Sequence, residues 1–268
     1  MRPREHRVLS ARLAAGLAAL AWAAQALCGA PGLDYEGALN PGAGLGQVAA
    51  HFAAWAQRHK MIVETNAGEG RGGLRILPHP AGQGVPIAMD DQGRVAGRAP
   101  TLWLGPGYHE AAVEALRELQ ARFCSSLRVK DFSGFWDSRD RKALEAAMSR
   151  HMIEEIEKTL RAWPPGSSAR FETPVGRLDK RSMELWLDAL RKGSQPEAWW
   201  VWWGPGRDGG YWTQMGCALY FHRILSPGKR LPDAEQALRT AKLCFDRGRA
   251  QWVETWLSRY YQGLMARD

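Results

Sequence analysis

The residue best placed for chemistry is His109. It follows a Gly-Pro-Gly turn at 105–107 and lies in the first turn of a helix predicted over residues 108–123. The apolar run at 101–104 predicts a strand, so His109 stands where a strand ends, as ligand sites of α/β proteins do. The helix dipole is positive at this end and favours a neutral imidazole, which is suited to act as a general base.

A second Gly-Pro-Gly turn, at 204–206, precedes Arg207 and Asp208. If the strands before the two turns are neighbours, His109, Asp208 and Arg207 meet at one sheet edge and form a candidate hydrolase-like catalytic site. The alternative is that charged residues here only balance the helix dipole, as Glu110 would. The sequence contains neither G-x-S-x-G nor H-E-x-x-H, so no standard motif decides between the two.

Tryptophan is concentrated in residues 198–212, which hold five of the thirteen in the chain. The apolar run before the glycines predicts a strand buried on both faces at the centre of the core. The alternative is an exposed indole platform for sugar rings or a peptide, although exposing so much apolar area is costly. Four aromatic residues around the two turns are candidate binding residues: Tyr108, Trp203, Tyr211 and Trp212.

His151, Glu154 and Glu155 share one helical turn and could begin a metal site. One turn supplies too few ligands, so charge pairing with Lys158 is the favoured interpretation. His222 lies in an apolar helical pattern and is interpreted as a packed or capping histidine. No metal and no cofactor is predicted.

The first 26 residues predict a signal peptide. A basic opening is followed by an uncharged apolar run at 13–24, and Ala24-Gln25-Ala26 supplies a small-x-small cleavage pattern. We therefore expect a periplasmic or secreted protein. Left uncleaved, residues 8–30 are long enough to anchor the chain in a membrane. A lipoprotein using Cys28 and a mitochondrial transit peptide are further alternatives.

The four cysteines include no C-x-x-C pair, which argues against structural zinc. Cys217 and Cys244 fall on apolar faces of predicted helices. The sequence leaves open whether they form a disulfide or stay free and buried.

Apolar periodicity predicts the remaining elements. Residues 27–45 are rich in glycine and proline and predict a linker. Helices are expected over 46–60, 108–123, 144–160 (capped by Asp137 or Ser138), 180–191 (capped by Asp179) and beyond residue 211; strands over 61–63, 74–77, 85–89, 94–96, 101–104 and 170–175. The predicted fold is α+β, a small mixed sheet with helices packed on it. An N-terminal α/β part (46–126) and a helix-rich C-terminal part (127–268) complete one globule.

The net charge of +8 is dispersed among acidic residues without long basic runs, which argues against a nucleic-acid partner. A membrane contact is expected only through the N-terminal segment, if it is retained. Two classes of function remain. The favoured one is an exported, non-catalytic protein that binds a protein partner in the cell envelope, with toxin neutralisation as one form. The rival is a hydrolase-like enzyme built on His109, Asp208 and Arg207.

Overall fold

The computed structural model describes residues 31–59, 61–66, 73–79, 82–164, 171–173, 176–195 and 201–204. Within them, six strands form one sheet: β1 (Gly32–Ala38), β2 (Ile62–Asn66), β3 (Gly73–Leu77), β4 (Val85–Met89), β5 (Arg94–Pro100) and β6 (Arg128–Asp131). Their order is β2-β3-β4-β5-β1-β6. The α+β class is confirmed, but all five pairings in this sheet are antiparallel, where a mixed sheet was predicted.

Strand β1 occupies part of the segment that was predicted to be a linker. It lies between β5 and β6 and pairs with both, so the linker prediction is wrong for Gly32–Ala38. Leu33 and Tyr35 are buried, whereas Asp34 and Glu36 are exposed, which is the alternation of a strand with one covered face. The flanking glycines and prolines obscured a short pattern whose partners lie at least 56 residues away in sequence, the separation of Ala38 and Arg94.

The side chain of Tyr35 connects β1, β5 and β4. Its side chain crosses β5 at Gly97 and its hydroxyl donates a hydrogen bond to the carbonyl oxygen of Pro86 in β4. A Cβ atom at Gly97 would collide with the Tyr35 hydroxyl and ring. The absence of a side chain at Gly97 is therefore what lets the tyrosine pass beneath the strand.

In the described part of the chain, five helices accompany the sheet: α1 (Leu45–His59), α2 (Pro106–Arg122), α3 (Phe135–Ser138), α4 (Arg141–Arg161) and α5 (Lys180–Arg191). A 3-10 turn (Leu102–Leu104) precedes α2, and a hairpin of β7 (Phe171–Thr173) and β8 (Gly176–Leu178) precedes α5. Apolar residues of the helices and of one sheet face form a single buried cluster. Alternate residues of β1, β4, β5 and β6 point away from it and most of them are exposed. The side of these four strands opposite the core, here called the open face, is therefore not covered by the described residues.

The helices predicted within the described ranges agree well with these elements, and those predicted beyond residue 211 lie outside the described residues. The predicted stripe on α4 is buried at Leu144, Met148, Met152 and Ile156. Its cap is Asp140, whose carboxylate accepts from two backbone amides of the first turn, and not Asp137 or Ser138, which belong to α3. The predicted cap of α5 is confirmed, because the Asp179 carboxylate accepts from the backbone amide of Ser182 at 2.8 Å.

The described part of the tryptophan segment is not a strand of the sheet. Val201, Trp202 and Trp203 are buried, but they run against the turn that leads into α2. The Trp202 amide donates to Leu104 O at 2.9 Å, and the Gly107 amide donates to Trp202 O at 2.9 Å. The strand predicted over 101–104 is likewise wrong, since these residues form the 3-10 turn. In the described ranges, no helix is long and apolar enough to cross a membrane.

Candidate functional site

His109 lies in the first turn of α2, as predicted, but it is fully buried at 0% exposure. Its Nδ1 atom is 2.8 Å from Thr101 Oγ1, and its Nε2 atom is 3.1 Å from Asp131 Oδ2. The rings of Phe132 and Phe135 meet the imidazole edge to face. A third polar contact joins Nε2 to Ser133 Oγ at 3.3 Å. The surroundings of His109 are thus three polar partners and two aromatic rings.

Asp131 is the centre of this cluster. Its Oδ2 atom accepts from the Trp136 amide at 2.8 Å as well as contacting His109, and its Oδ1 atom accepts from both the amide and the hydroxyl of Ser133 at 2.8 Å. The side chain is 2% exposed. Burial by itself raises the pKa of this carboxyl, but the bond and charge of His109 and the two Ser133 bonds outweigh it and hold the pKa at about 2.

The hydrogen bonds of the cluster fix the tautomer of His109. An ionised carboxylate can only accept, so Nε2 carries a proton in either state of the ring. In the neutral ring Nδ1 accepts from the Thr101 hydroxyl, and in the protonated ring Nδ1 donates to the Thr101 oxygen. The sequence of contacts Thr101–His109–Asp131 is that of a nucleophile, base and acid. However, Thr101 and His109 are both 0% exposed, so a substrate cannot reach either atom. The cluster joins the residue before the 3-10 turn, the first turn of α2 and the end of β6.

The predicted catalytic partners Asp208 and Arg207 lie outside the described residues, and His109 is instead bonded to three residues that sequence reasoning missed. Of these, Asp131 and Ser133 form an Asx-type turn, in which the side chain of the first accepts from the amide of the second. That turn signature, D-x-S-G at 131–134, was the available signal. It does not reveal that His109, 22 residues earlier, is the partner.

Glu110, predicted to balance the helix dipole, binds Arg141 on α4. Burial raises the pKa of Glu110, while the Arg141 guanidinium acts to lower it. Arg141 also contacts Glu145 at 2.8 Å and donates to the carbonyl oxygen of Trp203. This arginine therefore links two helices to the segment 201–204.

The two predicted binding aromatics that the structure describes are inside the protein. Tyr108 is 0% exposed and its hydroxyl accepts from the Gly84 amide at 3.0 Å, and burial raises its pKa far above the ordinary value. Trp203 is 9% exposed. Neither presents its ring to a partner. Tyr211 and Trp212, together with His222, Cys217 and Cys244, lie outside the described residues.

The other histidine cluster is a set of surface ion pairs. His151 Nδ1 lies 3.2 Å from Glu154, and Lys158 lies 3.7 Å from Glu155. Three or more potential metal ligands do not come together anywhere in the portion of the chain that is described.

The open face of the sheet is a feature that the sequence did not reveal. Its outward positions on β1, β4, β5 and β6 are exposed: Asp34, Glu36, Ala38, Ala88, Arg94, Ala96, Arg98, Arg128 and Lys130. A groove of about 660 Å³ crosses it, with Ala88 and Ala96 directly opposite each other in its lining. Arg94 is paired with Asp90 at 2.7 Å and Arg98 with Asp34 at 3.6 Å. The face therefore carries both signs of charge around a lining of small residues.

No protein-family model matches the chain, and comparison with curated proteins and with solved structures finds no match either.

Proposed function

We propose that this chain is an exported, non-catalytic protein that binds another protein through the open face of its six-stranded sheet. The observation that carries the proposal is the face itself. Sheets usually bury one side on the core and solvate the other, but here the solvated side also has a groove with a small-residue lining and a charged rim. Toxin neutralisation is one form that such binding takes.

The chemistry of the face favours a protein over a nucleic acid. Cations of β5 and β6 alternate with anions of β1 across the strands: Asp34 is opposite Arg98 and Lys130, and Glu36 is opposite Arg128. The exposed outward positions carry four cations and two anions, so charge alone does not argue against a nucleic acid. A platform for single-stranded nucleic acid also needs aromatic rings for stacking. The described outward positions of these four strands carry no aromatic side chain. A partner with mixed charges is the better complement.

The geometry of His109 favours binding over the hydrolase alternative. A general base needs a ring nitrogen within reach of a substrate proton, and both nitrogens of His109 contact buried or half-buried protein groups. Export rests on the N-terminal pattern. Because β1 begins at Gly32, cleavage after Ala26 would leave the sheet intact.

Site-specific photocrosslinking tests both parts of the proposal. A photoreactive amino acid replaces Ala96, on the groove lining, in the full chain expressed in its own host. The matched control replaces Ala146, an equally exposed alanine on α4. We expect adducts to another protein from position 96 and not from position 146. We also expect the unreacted chain in the exported fraction, with the intact mass of residues 27–268. Absence of adducts at position 96 would exclude the binding face. A full-length chain in the cytosol would exclude export, and one in the membrane would indicate an anchor.

A further inference from the structure

Charge is segregated by strand at the β6 edge of the open face. The outward positions of β1 are Asp34 and Glu36, both acidic, and those of β6 are Arg128 and Lys130, both basic. The register places Asp34 directly opposite Lys130, and Glu36 directly opposite Arg128. An acidic row therefore lies beside a basic row, and opposite charges stand at the same level along the strands.

Three of these four charged groups make no ion pair with another described residue. Asp34 contacts Arg98 at 3.6 Å. Among the described residues, Glu36, Arg128 and Lys130 make no ion pair within 4.0 Å, although directly opposite side chains are within about 5.5 Å of each other at Cβ. By contrast, Arg94 on the same face is held by Asp90. An exposed ion pair contributes only about 0–1 kcal/mol to stability. Glu36, Arg128 and Lys130 can therefore pair with a partner with little loss of stability in this chain.

We propose that a second copy of this chain docks on the two rows. A two-fold axis that runs parallel to the strands, midway between β1 and β6, leaves the position of every residue along the strand direction unchanged. It therefore sets Glu36 against Arg128 of the second copy and Asp34 against Lys130 of the second copy, and repeats both pairs in the reverse direction. Such reciprocity is what an isologous interface requires. The small Ala38 and Ala96 beside the acidic row let the two faces approach.

The size of the contact sets its strength. Two rows of strands about 4.8 Å apart and four residues long cover a few hundred Å² at most, well below the roughly 800 Å² per partner of a standard interface. The dimer is therefore weak, forms at high protein concentration, and depends on charge. Salt weakens it, because the screening length falls from about 30 Å at 0.01 M to about 3 Å at 1 M. The docked copy covers part of the groove and competes with the binding partner proposed above.

Sedimentation equilibrium of the full chain tests this inference without any other partner. We expect the average mass to rise with concentration at low salt and to fall back to the monomer at about 0.5 M salt. In Glu36→Arg the facing residues 36 and 128 are both basic, and in Arg128→Glu they are both acidic. Because like charges then face each other, each variant alone should raise the dissociation constant at least about tenfold. The double variant with the charges exchanged should recover the dimer, and so should an equimolar mixture of the two single variants.

Two further variants, Glu154→Arg and Lys158→Glu, make the same charge changes at exposed positions on α4 and should leave the association unchanged. Because the exchanged double variant and the mixture must recover, misfolding of a single variant cannot be taken for support. A wild-type chain that stays monomeric at low salt overturns the inference, as do single variants that associate normally or a mixture that does not recover. If association is absent while position 96 still crosslinks to another protein, only the self-docking fails. If the sole adduct is a second copy, the proposed external partner fails.

Discussion

Replacing Asp131 with asparagine should destabilise the protein by about 3 kcal/mol at pH 7. The carboxylate accepts from four donors, two on each oxygen. Asparagine keeps the shape but turns one oxygen into a donor, so two buried donors lose their acceptor. Each bond to a charged group contributes about 1.5–3 kcal/mol, and removal of one partner from a buried pair costs about 3–5 kcal/mol. Residual bonds to the remaining oxygen place the expectation at the lower end.

The loss should depend on pH in a defined direction. The pKa of Asp131 is about 2 in the folded protein and its ordinary value is 3.8. Since the folded pKa is the lower one, this carboxyl contributes about 2 kcal/mol of stability above pH 4 to 5, which is lost as the pH falls through 2. The difference in stability between wild type and Asp131→Asn should therefore shrink by about 1 kcal/mol between pH 7 and pH 3.

Urea unfolding, followed by tryptophan fluorescence at pH 7 and pH 3, measures both quantities. For an m-value of about 2–3 kcal/mol/M, the midpoint should fall by roughly 1 M at pH 7. Asp137→Asn is the control, because this carboxylate is exposed and close in sequence, and its effect should stay within about 0.5 kcal/mol. A loss below about 1 kcal/mol, or one that does not change with pH, would refute the account of the cluster.

Two other substitutions test the packing. Gly97→Ala should lower the free energy of unfolding by about 1–3 kcal/mol, because its methyl group collides with Tyr35. The control is Gly46→Ala, in a helix with open space around it, which should be neutral or stabilising by up to about 1 kcal/mol. Equal effects of the two variants in urea unfolding would contradict the contact between Gly97 and Tyr35. Arg141→Met should release the segment 201–204, so that the amides joining it to the turn before α2 exchange hydrogen at least about tenfold faster while those of α5 do not change. Uniform protection in the variant would mean that the arginine does not hold the segment.

Local patterns determined much of the helical structure. The four-residue spacing of apolar residues in α4 and the i, i+3, i+4, i+7 stripe of α5 predicted the helices, and Asp179 was found as a cap. Strand β4 and the turn after it were also predictable, because Asp90 accepts from the amides of Gln92 and Arg94 in a contact confined to five residues. These features depend on neighbours in sequence, so periodicity and turn chemistry contain the necessary information.

Only the tertiary structure decided the rest. The sequence placed His109 correctly at a helix start, but it did not identify the hydrogen-bond partner of Nε2, Asp131, which lies at the end of a separate strand. It likewise could not distinguish β1 from a linker, or reveal that Asp34 and Glu36 would lie beside Arg128 and Lys130. Strand order, register and the partners of buried polar groups are long-range properties, fixed by which elements pack together, and no local pattern encodes them.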